Sequence, residues 1–250
     1  MANALRYVLI GQAVIAALLV FGDLEARWSA PQVFAPERHT GPISPGDQVR
    51  RYDPDRVVPD YTNRPKLEMP ETFEERLTFQ TISTERFGTV LLMHGPITSG
   101  DAKRLVAFLD TMETDPDVVA LNSPGGIVDE ALEIGRELRS RELGTAVLDG
   151  MICASACPYV LAGGTTRKVS EGSAVGLHQH YYETPGYIPA AFAVEDIQLG
   201  QARTMAYLIE MGIDPGVMLH SLSTPPEDIY VLLPEELVDT GLATEILLDE

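Results

Sequence analysis

Cysteine is nearly missing from the chain: among 250 residues only Cys153 and Cys157 occur. Two thiols with no histidine pair in ligand spacing nearby cannot complete a four-ligand zinc site, which excludes a structural zinc. Basic residues are also scarce. Eighteen Lys and Arg stand against 37 Asp and Glu, a formal charge of −19, and the bases are not clustered. A phosphate backbone needs clustered cations, so no nucleic-acid partner is expected. The phosphate-loop lysine and the longer dinucleotide glycine fingerprint are both missing, and no cofactor is expected. No internal repeat is visible. The rest, 45% hydrophobic and 22% charged, is ordinary globular composition with a real core. The acidity therefore reads as solvated surface.

One long apolar run is present. Residues Val8 to Phe21 carry no charge, and the segment from Ala4 to Gly22 approaches the ~20 residues that a bilayer-crossing helix needs. Arg6 and the amino terminus supply a short positive flank, whereas Trp28-Ser29-Ala30 is a poor cleavage site. Residues 1–27 are thus expected to be an uncleaved signal-anchor rather than a removed signal peptide. They would make the protein a single-pass component of a bacterial inner membrane, with the membrane as partner and the remainder in the periplasm. From Trp28 to about Pro70 prolines recur without apolar periodicity, so residues 28–78 are expected to form an extended tether.

Order is expected over 79–250. Thr89–Met93, Val118–Leu121, Thr145–Leu148, Ala174–His178 and Ile229–Leu232 read as short buried strands. Between them lie helical patterns: Ser99 to Met112, Ile127 to Glu142, Ala154 to Ala162, Ala190 to Met211, Pro215 to Leu222 and Pro234 to Thr240. In the second of these Ile127, Ala131, Ile134 and Leu138 are expected inward. In the fourth the inward set is Ile197, Ala202, Met205, Leu208 and Ile209. Strand and helix alternate, so the fold class is α/β with mostly parallel strands and right-handed crossovers.

Three short motifs carry chemistry. Asn122-Ser123-Pro124-Gly125-Gly126 follows a strand and opens a helix, and glycines there let backbone N–H groups approach a ligand. Ser155 stands between Ala154 and Ala156 before an apolar run, with its hydroxyl unobstructed; a lone serine at such a place is more often an N-cap. His178 follows the fourth strand. Nucleophile, general base and oxyanion-binding backbone are the parts of a serine hydrolase. Cys153 and Cys157 bracket the serine. They either pack as small apolar side chains or pair in an oxidising compartment, although a regular helix would strain the bond.

In order and interval these motifs, with Ala162-Gly163-Gly164 closing the helix after Ser155 and Gln179 after His178, resemble the proteolytic subunit of the Clp protease. The resemblance covers about Thr89 to Thr244. The cysteines make the flanks more similar to membrane-attached or periplasmic relatives in the Clp/crotonase superfamily. The resemblance implies a spiral of βαβ units. It also implies a Ser155 nucleophile, a His178 base, an oxyanion hole from the N–H groups of Gly126 and Ala156, and a peptide or protein substrate. Asp228 is the nearest match to the acid, with Glu227 open. Relatives form rings, so a homo-oligomer is expected, with contacts on the helix from Ala190. His180 shares a strand face with His178 and rivals it, while His94 reads as structural. Alternatives are a catalytically inactive scaffold or binding protein, a crotonase-type acyl-thioester enzyme without a serine nucleophile, and a Ser-Lys peptidase using Lys168 or Lys103.

Overall fold

The computed structural model describes residues 6–7, 10–16, 45–54, 72–180 and 190–248. The chain divides into two units, Met1–Ala35 and Pro36–Glu250. In the first, residues 6–7 and 10–16 are helical, and Tyr7, Ile10, Val14 and Ile15 are exposed. Among the described residues no helix is long and apolar enough to cross a membrane. That corrects the transmembrane, signal, inner-membrane and periplasmic expectations, and the membrane as a partner. The rest of the apolar run lies outside the described residues, as does most of the expected tether.

The second unit is α/β. It begins earlier than the sequence suggests, because β1 (Val49–Arg51), within the expected tether, is already a strand. β2 (Thr78–Thr84) and β3 (Gly88–His94) form an antiparallel pair across a short turn. In β3 the apolar run Val90-Leu91-Leu92 is wholly buried, as a strand covered on both faces requires. α1 (Asp101–Leu109) buries Ala102, Leu105 and Leu109. Its Gly100 cap is left-handed, and no neighbouring side chain closes it. The Glu130 carboxylate does so instead, accepting from Gly100 N–H at 2.7 Å and Ala102 N–H at 2.9 Å.

β4 (Val118–Asn122) leads through the glycine turn into α2 (Val128–Ser140), whose Ala131, Ile134 and Leu138 face inward. Ile127 is 44% exposed, contrary to expectation, because it precedes the helix. β5 (Thr145–Val147) and β6 (Ile152–Ala154) come before α3 (Cys157–Gly163). β7 (Arg167–Ser170) and β8 (Ala174–Leu177) come before α4 (Ala190–Glu210). α4 turns Gly200, Thr204, Tyr207 and Leu208 inward and leaves Ala202, Met205 and Ile209 exposed. The small residues Gly200 and Thr204 thus sit where larger apolar ones were expected. A 3₁₀ turn (Pro215–Val217), α5 (Met218–Ser223), β9 (Asp228–Val231), α6 (Pro234–Asp239) and β10 (Glu245–Leu247) complete the chain.

Two sheets result, ordered β10-β7-β5-β4-β3-β2 and β1-β9-β8-β6. The first is parallel from β3 to β10, and the second mixes one parallel pair with two antiparallel pairs. The chain passes from the larger sheet to the smaller at β5–β6 and again at β7–β8, with a helix following each passage.

The helices α2 and α3 meet through two glycines. A Cβ at Gly163 would fall inside the contact distance of Gly135's backbone, and one at Gly135 would lie 2.9 Å from the Tyr159 carbonyl oxygen. Arg139 locks the same corner by donating to the carbonyls of Ala162, Gly163 and Gly164 at 2.9–3.1 Å. Alanine normally favours a helix over glycine by about 1 kcal/mol. Here overpacking against backbone opposes that gain, with a typical cost of about 1–3 kcal/mol. Gly163→Ala should therefore destabilise the fold, read as a lower urea midpoint; an unchanged or higher midpoint would show that the helices can separate freely.

Candidate active site

Three strand ends meet at one edge of the smaller sheet. Ser123 N–H donates to Ile152 O at 2.7 Å and Ala154 N–H to Ser123 O at 3.0 Å, laying the glycine turn beside β6. On the other flank Ser155 N–H donates to Gly176 O at 2.9 Å, tying the residue after β6 to β8. Ser155 occupies a left-handed backbone, φ 59°, between strand β6 and helix α3. For a non-glycine residue that is uncommon, and such residues cluster at functional sites. A sharp strand-to-helix turn lifts the side chain off the sheet end, as nucleophile turns require.

The turn is held on three sides. Gly125 packs against it so closely that a Cβ there would lie 2.5 Å from Ser155 Cβ and 2.9 Å from Ala156 N. A disulfide joins Cys153 to Cys157 with Cα atoms 5.0 Å apart, closing a loop around the serine. Cys153 sits on the strand and Cys157 in the first helical turn, so the bond spans a bend and not a regular helix.

Gly125 and Gly126 both have positive φ, 101° and 138°. Ile97 pairs with Gly126 through Ile97 N–H to Gly125 O (2.7 Å) and Ile127 N–H to Ile97 O (2.9 Å). In that pattern the N–H of Gly126 itself points away from Ile97. Neither Gly126 N–H nor Ala156 N–H meets an acceptor among the described residues. Both are donors of the kind that stabilise a developing oxyanion.

His178 follows β8 and is 7% exposed. Its Nδ1 lies 2.6 Å from the Gln179 carbonyl oxygen. A carbonyl can only accept, so the proton is on Nδ1 and Nε2 carries a lone pair. Nε2 is buried and has no hydrogen-bond partner among the described residues. Burial holds the imidazole below its ordinary value of 6.5, with the Gln179 carbonyl pulling weakly the other way. The ring is thus a neutral, unengaged base. Ser155 and His178 border one cavity of about 1080 Å³, together with Gly125 and Gly126. They are not hydrogen-bonded to each other.

The remaining candidates stand elsewhere. His180 turns its Nε2 to the Tyr159 hydroxyl at 3.0 Å, on α3. His94 is buried between Thr72 O and the Asn122 side chain, each at 3.1 Å, and Asn122 in turn accepts from Ile152 N–H. The sequence expectation for Asp228 meets a different geometry: its carboxylate pairs with Arg51 at 3.2 Å, and a backbone carbonyl takes the imidazole proton the acid was expected to hold. β1 brings Arg51 opposite Asp228, and that strand was invisible in a proline-rich stretch. Lys168 pairs with Glu245 on β10 and is not on the Ser155 cavity. Lys103 lies on α1 and also does not line it.

Sequence reasoning missed Tyr52, which lines the same cavity next to His178, with ring centroids 5.3 Å apart. The only signal was a short Val-Arg-Arg-Tyr run among prolines. It also missed the ion pair of Asp129 on α2 with Arg203 on α4, 3.4 Å apart on the cavity's other side.

Two predictions follow from this environment. Burial lowers the imidazole values of His94, His178 and His180; for His180 the nearby His178 adds to the effect and Asp129 opposes it. The unfolded chain therefore takes up protons first, and stability should be flat above about pH 6.5 and fall as pH drops through the lower folded values. Urea melts across pH 5–8 check this; greater stability at pH 5.5 than at 7.5 would contradict it. Reducing the disulfide, whose cysteines are four positions apart, should cost about 2 kcal/mol of stability by loop entropy. Paired melts with and without reductant measure it, and equal midpoints would refute it. Set against known proteins, the chain matches no family model and no curated protein.

Proposed function

We propose that the chain is a serine hydrolase of the peptidase type, built on a Clp/crotonase-type spiral. One observation carries the reading. Ser155 is held in a left-handed strand-to-helix turn against Gly125, on the same cavity as a neutral His178 whose Nε2 is unengaged. The repeated strand–strand–helix passage between two sheets supports the spiral. The motif order from Asn122 to Gln179 supports the kinship.

In this reading Nε2 of His178 takes the Ser155 hydroxyl proton as Oγ attacks the substrate carbonyl carbon. The carbonyl π pair moves to oxygen, where the N–H groups of Gly126 and Ala156 receive it. The tetrahedral species collapses, the C–N bond breaks, and the imidazolium returns its proton to the leaving amine. Water then repeats the sequence on the acyl-serine: its proton goes to Nε2, its oxygen bonds carbon, and Oγ leaves with the proton. The Gln179 carbonyl fixes the tautomer in place of a carboxylate, a task that needs an acceptor at Nδ1 and not a full charge. A peptide or protein substrate and homo-oligomer formation through α4 belong to the same proposal.

A scaffold without catalysis is the second reading, favoured by one observation: among the described residues no carboxylate engages the imidazole, and Asp228 is held by Arg51. A fluorophosphonate probe separates the two. The wild-type protein should label at Ser155, and Ser155→Ala should abolish labelling. His178→Ala should slow it by roughly a thousandfold, because nucleophile and base act as a unit. Asp228→Asn should leave the rate within about twofold, since a half-exposed ion pair contributes little. No labelling of the folded wild type would favour the scaffold. A large loss in Asp228→Asn would restore the acid to the triad.

A further inference from the structure

Among the residues ahead of β2 that line the cavity, Tyr52 meets both His178 and the glycine turn. β1 lies antiparallel on β9 at the edge of the smaller sheet, with Val49 opposite Tyr230 and Arg51 opposite Asp228. The Arg51–Asp228 ion pair and the bond from Tyr52 N–H to Glu227 O, 2.9 Å, fix where the strand ends. Tyr52 is thereby buried, 7% exposed, on the cavity wall. Its ring lies against the His178 imidazole, tilted by 43° at 5.3 Å between centroids. Its hydroxyl donates to the Pro124 carbonyl oxygen, in the peptide that precedes Gly125.

Both contacts fall where the site has least support of its own. The Pro124–Gly126 turn has two glycines with positive φ and no side chains to anchor it. Besides the Ile97 pairing, the hydrogen bonds that hold it among the described residues are that of Gly125 N–H to Ser123 Oγ at 3.1 Å and that of the Tyr52 hydroxyl to Pro124 O. The imidazole is held at Nδ1 by the carbonyl of the adjacent residue, which leaves the ring free to swing unless something packs on its face. A tyrosine can do both tasks, because its ring is apolar and its tip is a donor.

We infer that Tyr52 is a positioning residue for the hydrolytic site, holding the His178 ring and the oxyanion turn in one fixed relation through the edge strand of the smaller sheet. The inference rests on the serine-hydrolase reading and makes the stretch before residue 55 a working part of the site. Acyl transfer needs the base and the oxyanion donors placed together, and displacement by about 1 Å can cost a hundredfold. Tyr52 touches neither the nucleophile nor, in this role, the reacting atoms.

The test uses the full chain with Tyr52→Phe and Tyr52→Leu, the fluorophosphonate labelling rate, and the pH titration of the His178 ring by NMR. The other ionisable groups on the cavity are Glu74, Glu75, Asp129, His180 and Arg203, and none is altered in either variant. Tyr52→Phe keeps the ring and loses the bond to Pro124. It should label about tenfold more slowly, one hydrogen bond's worth, with the His178 midpoint unchanged. Tyr52→Leu also uncovers the imidazole, so its midpoint should rise towards 6.5 and labelling should slow by about a hundredfold. A lower melting temperature with wild-type labelling and an unmoved midpoint would mean a merely structural tyrosine and overturn the inference. If Tyr52→Leu does not fold, a wild-type labelling rate in Tyr52→Phe overturns it equally. Absence of Ser155-dependent labelling in the wild type defeats the hydrolase reading itself, and with it the catalytic role of Tyr52. The His178 titration then still reports whether Tyr52 holds the ring, so the two failures are told apart.

Discussion

The left-handed backbone of Ser155 is the constraint on which the site's arrangement depends. A non-glycine residue in that region costs roughly 1–2 kcal/mol. Glycine would relieve the cost but would carry no hydroxyl. The conformation persists because its surroundings over-determine it: the Gly176 carbonyl takes the serine N–H, the disulfide closes the ends, and Gly125 leaves room on the open side. Each of these requires a particular residue at a particular place. Together they explain why small residues and cysteines crowd this stretch.

The same logic extends outward to charge. The unit keeps His94, His178 and His180 neutral by burial, and each has a hydrogen-bond acceptor or donor beside it. Of the three, His178 has the buried nitrogen without a partner among the described residues. Three histidines of similar environment are thus separated in role by what their second nitrogen meets. Arg167 shows the complementary arrangement. It is buried in β7 without a carboxylate partner among the described residues, and carbonyls of Gly164 and Gly241 accept from its guanidinium.

That arginine also shows where sequence reading ran out. β3, β4, α1 and α2 were legible because their apolar runs and periodicities agree with their burial. β7 reads Arg-Lys-Val-Ser, a surface pattern, and the buried arginine is met by one carbonyl three residues away and another from far along the chain. β6 and β10 are three residues each, too short for a period. The convergence of Ser155, Gly126 and His178 on one cavity was legible from local motif order. The orienting acceptor was not: a backbone carbonyl has no sequence signature, and only the position of β1 shows that Asp228 is otherwise engaged. Tyr52 was lost because prolines on both sides masked a three-residue strand.

The glycine contact between α2 and α3 has a mechanical meaning for the cavity. Two backbones in direct contact have no side chains to compress, and Arg139 rivets the joint from the α2 side. The wall carrying Val128, Asp129 and Leu132 is therefore the stiff jaw of the cleft. Tyr52, on the same cavity, follows a strand of three residues at the edge of the smaller sheet. A bulky ligand therefore cannot gain room by parting α2 from α3 and must be accommodated elsewhere along the cavity's border.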